Sequence, residues 1–250
     1  MPGSLEGRNA IVTGASSGIG EATALALAKE GASVGLAARR GDRLEDLAKR
    51  IAGDGGTAEA FEVDITDEEA ARSLVQGAAD ALGGLDILVN NAGLMLLGPV
   101  HGANTDEWRR MVDVNCLGLL YCTHAALPAM QERGGGHIVN VASTAGRQAN
   151  LGLAVYNLTK FGVVGFSEAL RQEALHSNIR VTVVEPGFVD TELQGHNTNP
   201  IVVEATEKNR EEIGEVLEAE DIARAITYAV SQPDRVNVNE VLVRPTGQRR

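Results

Sequence analysis

"NAIVTGASSGIGEATALALAKEG" occupies residues 9–31, and its reading decides the fold. "NAIVTG" (9–14) is a short apolar run of the kind that forms a buried strand. "GIGEATALALAKEG" (18–31) is an alanine-rich helix closed by Gly31. The connection spaces its glycines G-x-x-x-G-x-G, at Gly14, Gly18 and Gly20, rather than G-x-G-x-x-G. The physics is shared: glycines let backbone approach a pyrophosphate, and a helix N-terminus offers unpaired N–H groups and the positive end of a dipole. Ser16 and Ser17 stand ready to hydrogen-bond phosphate or ribose. A glycine-rich turn without a ligand is the alternative; its place in the first βα unit favours a nucleotide.

Outward from that unit, short apolar runs alternate with helical stretches. Strands are expected at 33–38, 58–64, 86–93, 135–143, 179–187 and 239–245, with helices near 42–56, 67–82, 105–130, 155–176 and 220–231. Such alternation implies right-handed βαβ crossovers. The expected class is α/β, a Rossmann-type, doubly wound parallel sheet of about seven strands with helices on both faces. No repeat or linker interrupts it, so residues 1–250 read as a single dinucleotide-binding and catalytic domain. The segment near 188–215 follows a strand's C-terminal end, where α/β ligands bind, and is long and irregular, which suggests a substrate lid.

The 250 residues are 44% hydrophobic and carry a net charge of −12, the profile of a globular enzyme. That charge argues against a nucleic-acid surface or an anionic membrane as partner. Cys116 and Cys122 have no metal or redox spacing and read as reduced thiols. Neither a basic-plus-apolar leader nor a membrane-length apolar run is evident, so a cytoplasmic protein is expected. No metal is expected, since the histidines lack ligand spacing.

"VYNLTKFG" (155–162) places Tyr156 four positions before Lys160. On a helix these share a face, and an ammonium beside a phenol favours the phenolate. The pair reads as an acid–base device, or else as a half-buried tyrosine with a solvated lysine. "VNVAS" ends a strand at Ser143; its hydroxyl is a turn former or, facing Tyr156 across a cleft, a donor to a substrate carbonyl. "NNAG" (90–93) ends another strand, with Asn90 assigned mainly to scaffold and the Ala-Gly step leaving room for something flat.

TGxxxGxG, NNAG, Ser143, Y-x-x-x-K and "EPG", in this order, resemble the short-chain dehydrogenase/reductases from about Gly7 to Pro245. "NNAGLMLLGPV", "AVYNLTKFGV" and "EPGFVDTEL" are similar to its clavulanate dehydrogenase-like branch, near the serine 3-dehydrogenases; the ending "LVRPTGQRR" departs from the wider family. The resemblance implies that Tyr156 is general acid in reduction and base in oxidation. It makes Lys160 the group that lowers the Tyr156 pKa and holds the nicotinamide ribose, and Ser143 the carbonyl positioner. Asn115 becomes the anchor of a water in a proton relay. Cofactor contacts are implied at Gly14, Ser16, Ser17, Gly18, Ile19 and Gly20; at Asp64 and Ile65 beside the adenine; and at Asn91, Ala92 and Gly93. Pro186, Gly187, Val189 and Thr191 are implied near the nicotinamide carboxamide, with Tyr156 and Lys160 also touching the cofactor.

NAD enzymes usually place an acid at the end of the second strand to bind both ribose hydroxyls. Here that place is Ala38, followed by Arg39 and Arg40. Guanidinium groups suit a 2′-phosphate, so NADP(H) is expected, with Arg39 leading and Arg40 in support. The expected reaction is NADP(H)-dependent interconversion of an aldehyde or ketone and its alcohol. Rivals are a catalytically silent dinucleotide-binding regulator and a nucleotide-sugar epimerase or dehydratase. Met95, Leu96, Leu97, Thr144, Ala145, Leu151, Phe188 and Val189 suggest an apolar pocket for a small or medium substrate. His101, His124, His137, His176 and His196 receive no role, His196 alone lying in the lid segment. A homotetramer is expected from the resemblance and the apolar-rich helices 105–130 and 155–176.

Overall fold

Asn9–Thr13 (β1) is buried at every position, as a strand covered on both faces must be. β1 pairs in parallel with Ser33–Ala38 (β2) and with Ile87–Asn90 (β4). Thr57–Glu62 (β3), Gly136–Val141 (β5), Ile179–Pro186 (β6) and Glu240–Val243 (β7) complete a seven-stranded sheet of order β3-β2-β1-β4-β5-β6-β7. Every named strand pair is parallel. The computed structural model describes residues 3–197 and 199–249.

Successive residues along each strand face opposite ways, so the sheet divides its core in two. Ala10, Val12, Val34 and Leu36 pack beneath Gly18–Lys29 (α1), Gly41–Gly53 (α2) and Ala219–Val230 (α8), which contribute Leu27, Leu44, Leu47, Ile51, Ile222 and Ile226. Ile11, Ala37, Leu88 and Ile138 pack on the other face against Glu68–Leu82 (α3), Leu119–Glu132 (α5) and Ala154–Glu173 (α6). The α2 apolar residues fall at i, i+3 and i+7, and Asp67 caps α3 by accepting from the Ala70 N–H at 2.8 Å. The expected doubly wound sheet is therefore present, and its order reverses between β1 and β4, where such folds bind ligands.

Two readings need correction. The 105–130 stretch is not one uniform helix. Thr105–Val112 (α4) passes into a π-helical stretch, Asp113–Gly118, before α5 begins. Buried Asn115 lies in that stretch, its side chain hydrogen-bonded to both backbone groups of Leu94, and π stretches are common beside functional sites. The 188–215 segment is not irregular throughout: a 3₁₀ turn spans Glu192–His196 and a helix spans Pro200–Ile213 (α7). Asn199 caps α7 and Pro200 starts it, a start signal that sequence reading passed over. Only Ile213 of α7 is buried, so no apolar stripe announced the helix.

Strand ends differ too. β4 stops at Asn90 rather than 93, because the Asn91 N–H turns to the Thr13 hydroxyl at 3.0 Å. Beyond β7 the chain returns to the site. The Gln248 side-chain oxygen accepts from the Phe188 N–H at 2.9 Å, and a Cβ on Gly187 would lie 2.3 Å from that oxygen.

Candidate active site

The C-terminal ends of β1, β4, β5 and β6 open into a cleft of about 520 Å³. At its inner end stand Ser143, Tyr156 and Lys160. α6 carries the last two one turn apart, and the Lys160 Nζ lies 5.8 Å from the Tyr156 ring centroid. Both are buried, Tyr156 at 5% exposure and Lys160 at 6%. The Lys160 ammonium donates to the Val141 carbonyl at 2.9 Å, fixing it beneath β5. Ser143 begins the 3₁₀ turn Thr144–Gly146, and its Oγ accepts from the Ala145 N–H at 3.1 Å.

Burial governs the titration of this pair. It pushes the Tyr156 phenol up to about 12 against a hydrogen bond with Ser143 that pulls the other way. It also pushes the Lys160 ammonium down to about 8. A Tyr156 phenol acidified by Lys160 was expected. In this structure desolvation dominates instead, because both groups are enclosed by protein.

Asn115 is at the inner end but does not border the cleft. Its side chain accepts from the Leu94 N–H at 2.7 Å and donates to the Leu94 carbonyl at 2.8 Å and to the Thr159 hydroxyl at 3.1 Å. It thereby ties the π stretch to α6 and to the loop after β4. Asn90 is scaffold, donating to Thr123 and Asn140, each at 2.9 Å.

The middle of the cleft is bordered by Gly14, Gly18, Ile19, Asn91, Ala92 and Gly93. Gly18 has φ +55°, and a Cβ there would lie 3.1 Å from the Thr191 methyl. Gly20 does not border the cleft: a Cβ there would sit 2.3 Å from the Gly14 carbonyl oxygen, so this glycine serves the close approach of helix to turn. No side chain caps the N-terminus of α1, since Ser17 accepts from Arg40 instead. An uncapped helix start beside glycines at the switch point fits the pyrophosphate of a dinucleotide. Pro186, Gly187, Val189 and Thr191 border the same cleft, as do Asp64 and Ile65 at its outer end. Burial raises the Asp64 carboxyl, but the Thr66 N–H and hydroxyl, and then Arg39, outweigh it and leave it below its ordinary value.

The outer end is charged. Arg40 donates from Nε to Ser16 at 3.0 Å, from Nη2 to Ser17 at 2.6 Å and from Nη1 to Glu192 at 2.8 Å. Arg43 donates to the other Glu192 oxygen at 2.8 Å. Arg43 first, then Arg40, hold the Glu192 carboxyl down at about 2. Arg39 is exposed at the rim of the cleft. Sequence reading named Arg39 and Arg40 but gave no role to Glu192, although it lies in "EPGFVDTEL", or to Arg43; 149 residues separate these two.

Tyr156 also borders a second cavity of about 350 Å³. Leu96, Leu97 and Trp108 give it apolar walls, and Asn197 and Asn199 approach from the segment between β6 and α7. Asn197 accepts from the Leu97 N–H at 2.7 Å, tying the segment after β6 to the loop after β4. Leu151, expected among the lining residues, is instead fully exposed at 102%. His196 borders the main cleft, with burial lowering its pKa and Glu192 opposing. His137 is buried in β5 against the Thr182 hydroxyl at 2.7 Å. Among the described residues no three His, Cys, Asp or Glu side chains cluster as a metal site requires.

The comparisons with known proteins agree with this architecture. A family model described as "short chain dehydrogenase" matches residues 8–202. Glycine betaine reductase ATRR of Emericella nidulans is 44% identical over 97% of this chain, which corresponds to only 19% of that longer protein. An uncharacterized oxidoreductase of Staphylococcus aureus (strain MRSA252) is 41% identical over 94% of this chain and 96% of its own. A closed form of serine dehydrogenase complexed with NADP+ superposes with a TM-score of 0.88 at 33% identity, covering 96% of each chain. A 7α-hydroxysteroid dehydrogenase complexed with NADH and 7-oxo glycochenodeoxycholic acid superposes with a TM-score of 0.89 at 28% identity, covering 98% of this chain and 96% of its own.

Proposed function

The chain belongs to the short-chain dehydrogenase family, and from that premise we propose that it is an NADP(H)-dependent oxidoreductase interconverting a carbonyl compound and its alcohol. The observation that carries the reading is the juxtaposition of Ser143, Tyr156 and Lys160 at the inner end of a cleft whose glycine turn fits a dinucleotide. The nicotinamide would supply or accept the hydride. In reduction, Tyr156 donates its phenolic proton to the carbonyl oxygen as that oxygen gains charge, and Ser143 hydrogen-bonds the same oxygen. A phenol held protonated by burial suits the donor role. Lys160 places an ammonium one helical turn away, where it favours the phenolate that donation leaves behind. Asn115 is a positioning residue through Leu94 and Thr159.

Arg39 and Arg40, with no acid at the end of β2, support NADP(H) over NAD(H). The second cavity supports a small or medium substrate. Among the residues bordering it, Glu107 is the one acid and there is no Lys or Arg, which favours neutral or cationic compounds over anionic ones. Glycine betaine, for which one relative is named, is a zwitterion with no net charge and is compatible with that preference. The 33% identity to serine dehydrogenase supports the branch suggested by the motifs.

No helix among the described residues is long and apolar enough to cross a membrane. The free thiols Cys116 and Cys122 support a reducing cytoplasm. Leu158 and Phe161, 66% and 45% exposed on α6, support burial between subunits of a homotetramer.

NADPH and NADH consumption with a panel of aldehydes and ketones tests the proposal. NADPH should be preferred by at least about tenfold in kcat/KM, roughly the worth of one charge-assisted hydrogen bond. Equal values, or no turnover with any carbonyl compound, would overturn it.

A further inference from the structure

We infer that Glu192 is a built-in competitor for the cofactor's 2′-phosphate, so that this lid-segment carboxylate sets how strongly the protein distinguishes NADP from NAD. The inference rests on the cofactor reading above. Its evidence is the way the Arg40 donors are used. A guanidinium binds phosphate through a fork of two parallel N–H groups. Both Arg40 forks are engaged: Nε and Nη2 hold the Ser16 and Ser17 hydroxyls, and Nη1 holds Glu192 Oε2 at 2.8 Å. The other Glu192 oxygen is held by Arg43 at 2.8 Å. One carboxylate thus bridges two arginines beside the glycine turn, an arrangement a phosphate monoester would adopt equally well.

A phosphate dianion brought to Arg40 meets the Glu192 charge at close range, and like charges there repel. The 2′-phosphate must therefore displace Glu192 from Arg40, whereas NAD, with a plain 2′-hydroxyl, can leave the bridge intact. Glu192 opens the 3₁₀ turn that follows Thr191, so displacement also loosens the segment carrying Thr191 and His196 beside the cleft. The side chains are 40% and 51% exposed, so water screens the contest and its effect is moderate.

The test measures binding rather than turnover. Titration calorimetry at low salt gives Kd for NADP+ and NAD+ with wild type, Glu192→Gln and Arg40→Ala. Glu192→Gln should tighten NADP+ by about fivefold, within the range of exposed ion pairs, while NAD+ changes less than about twofold. Amide exchange over 191–197 should speed up in wild type on adding NADP+ but not NAD+. An unchanged or weaker NADP+ affinity in Glu192→Gln, or equal tightening of both cofactors, overturns the inference. Arg40→Ala separates the causes. If it leaves NADP+ binding unaltered, the 2′-phosphate reading at Arg40 fails and the inference with it. If it weakens NADP+ while Glu192→Gln does nothing, the competition alone is wrong.

Discussion

The two ends of the cleft solve opposite problems. At the inner end Tyr156 and Lys160 are about 95% removed from water, and burial sets their protonation. At the outer end Arg40 and Glu192 are half exposed, and their pairing is screened. Chemistry that must discriminate between protonation states needs the dry end, where an uncompensated charge costs several kcal/mol. The proposed choice between cofactors that differ by one phosphate would fall at the wet end, where each contact is worth about 1 kcal/mol and can be adjusted without endangering the fold.

The sharpest way to break this contrast is Tyr156→Phe, which removes one oxygen from the dry end. Turnover should fall about a thousand-fold, ~4 kcal/mol of barrier, with cofactor affinity kept. A variant retaining a tenth of wild-type kcat would remove Tyr156 from the chemistry.

Lys160→Met should come next, and its signature is in stability against pH. Lys160 titrates at about 8 in the folded protein against an ordinary 10.5, so the unfolded chain binds its proton more tightly. Wild type should therefore gain stability as pH rises from about 8 toward 10.5, by up to ~3 kcal/mol, and lose it again as pH falls to 8. The variant should lack that slope. Parallel denaturation midpoints for both proteins between pH 8 and 10 would refute the buried-ammonium account.

Asn115→Ala should cost about 2 kcal/mol of stability, because it leaves both Leu94 backbone groups without their partner. Chemical denaturation measures it, and a loss below about 0.5 kcal/mol would mean the π stretch holds itself. The smallest effect belongs to the wet end. Arg39→Ala and Arg40→Ala should each raise the NADPH KM by about tenfold or less, ~1.4 kcal/mol, and leave that for NADH alone. Comparing the two ranks the exposed Arg39 against the anchored Arg40; a kcat change equal to the KM change would place them in the chemistry instead.

The same contrast governs what the sequence made legible. The sheet followed from runs such as "NAIVT" and "SVGLAA", and the inner-end residues from a resemblance resting on fixed spacings. Local spacing carries such sites, because one helix turn or one strand end holds each group. The role of Glu192 could not be read this way: it stands within "EPGFVDTEL", but it meets Arg40 across 152 residues, which no local spacing reports. Gly20 is ambiguous in sequence for a related reason, since contact with cofactor and contact with Gly14 demand the same missing side chain. α7 escaped because a helix with one buried residue shows no periodicity, although Asn199 and Pro200 marked its start. The enclosure of Tyr156 was not legible either, because spacing reports who the neighbours are, not how dry they are.

The reversal of strand order between β1 and β4 also bears on how the chain comes off the ribosome. One edge of β1 is satisfied as soon as β2 follows, within about forty residues of chain. The other waits for Ile87–Asn90, so a central strand that is buried at every position in the fold spends that interval with an unpaired side. An exposed apolar edge invites pairing with other chains. Until residue 90 has left the exit tunnel, the strand that leads into the glycine turn keeps one edge open to pairing with other chains.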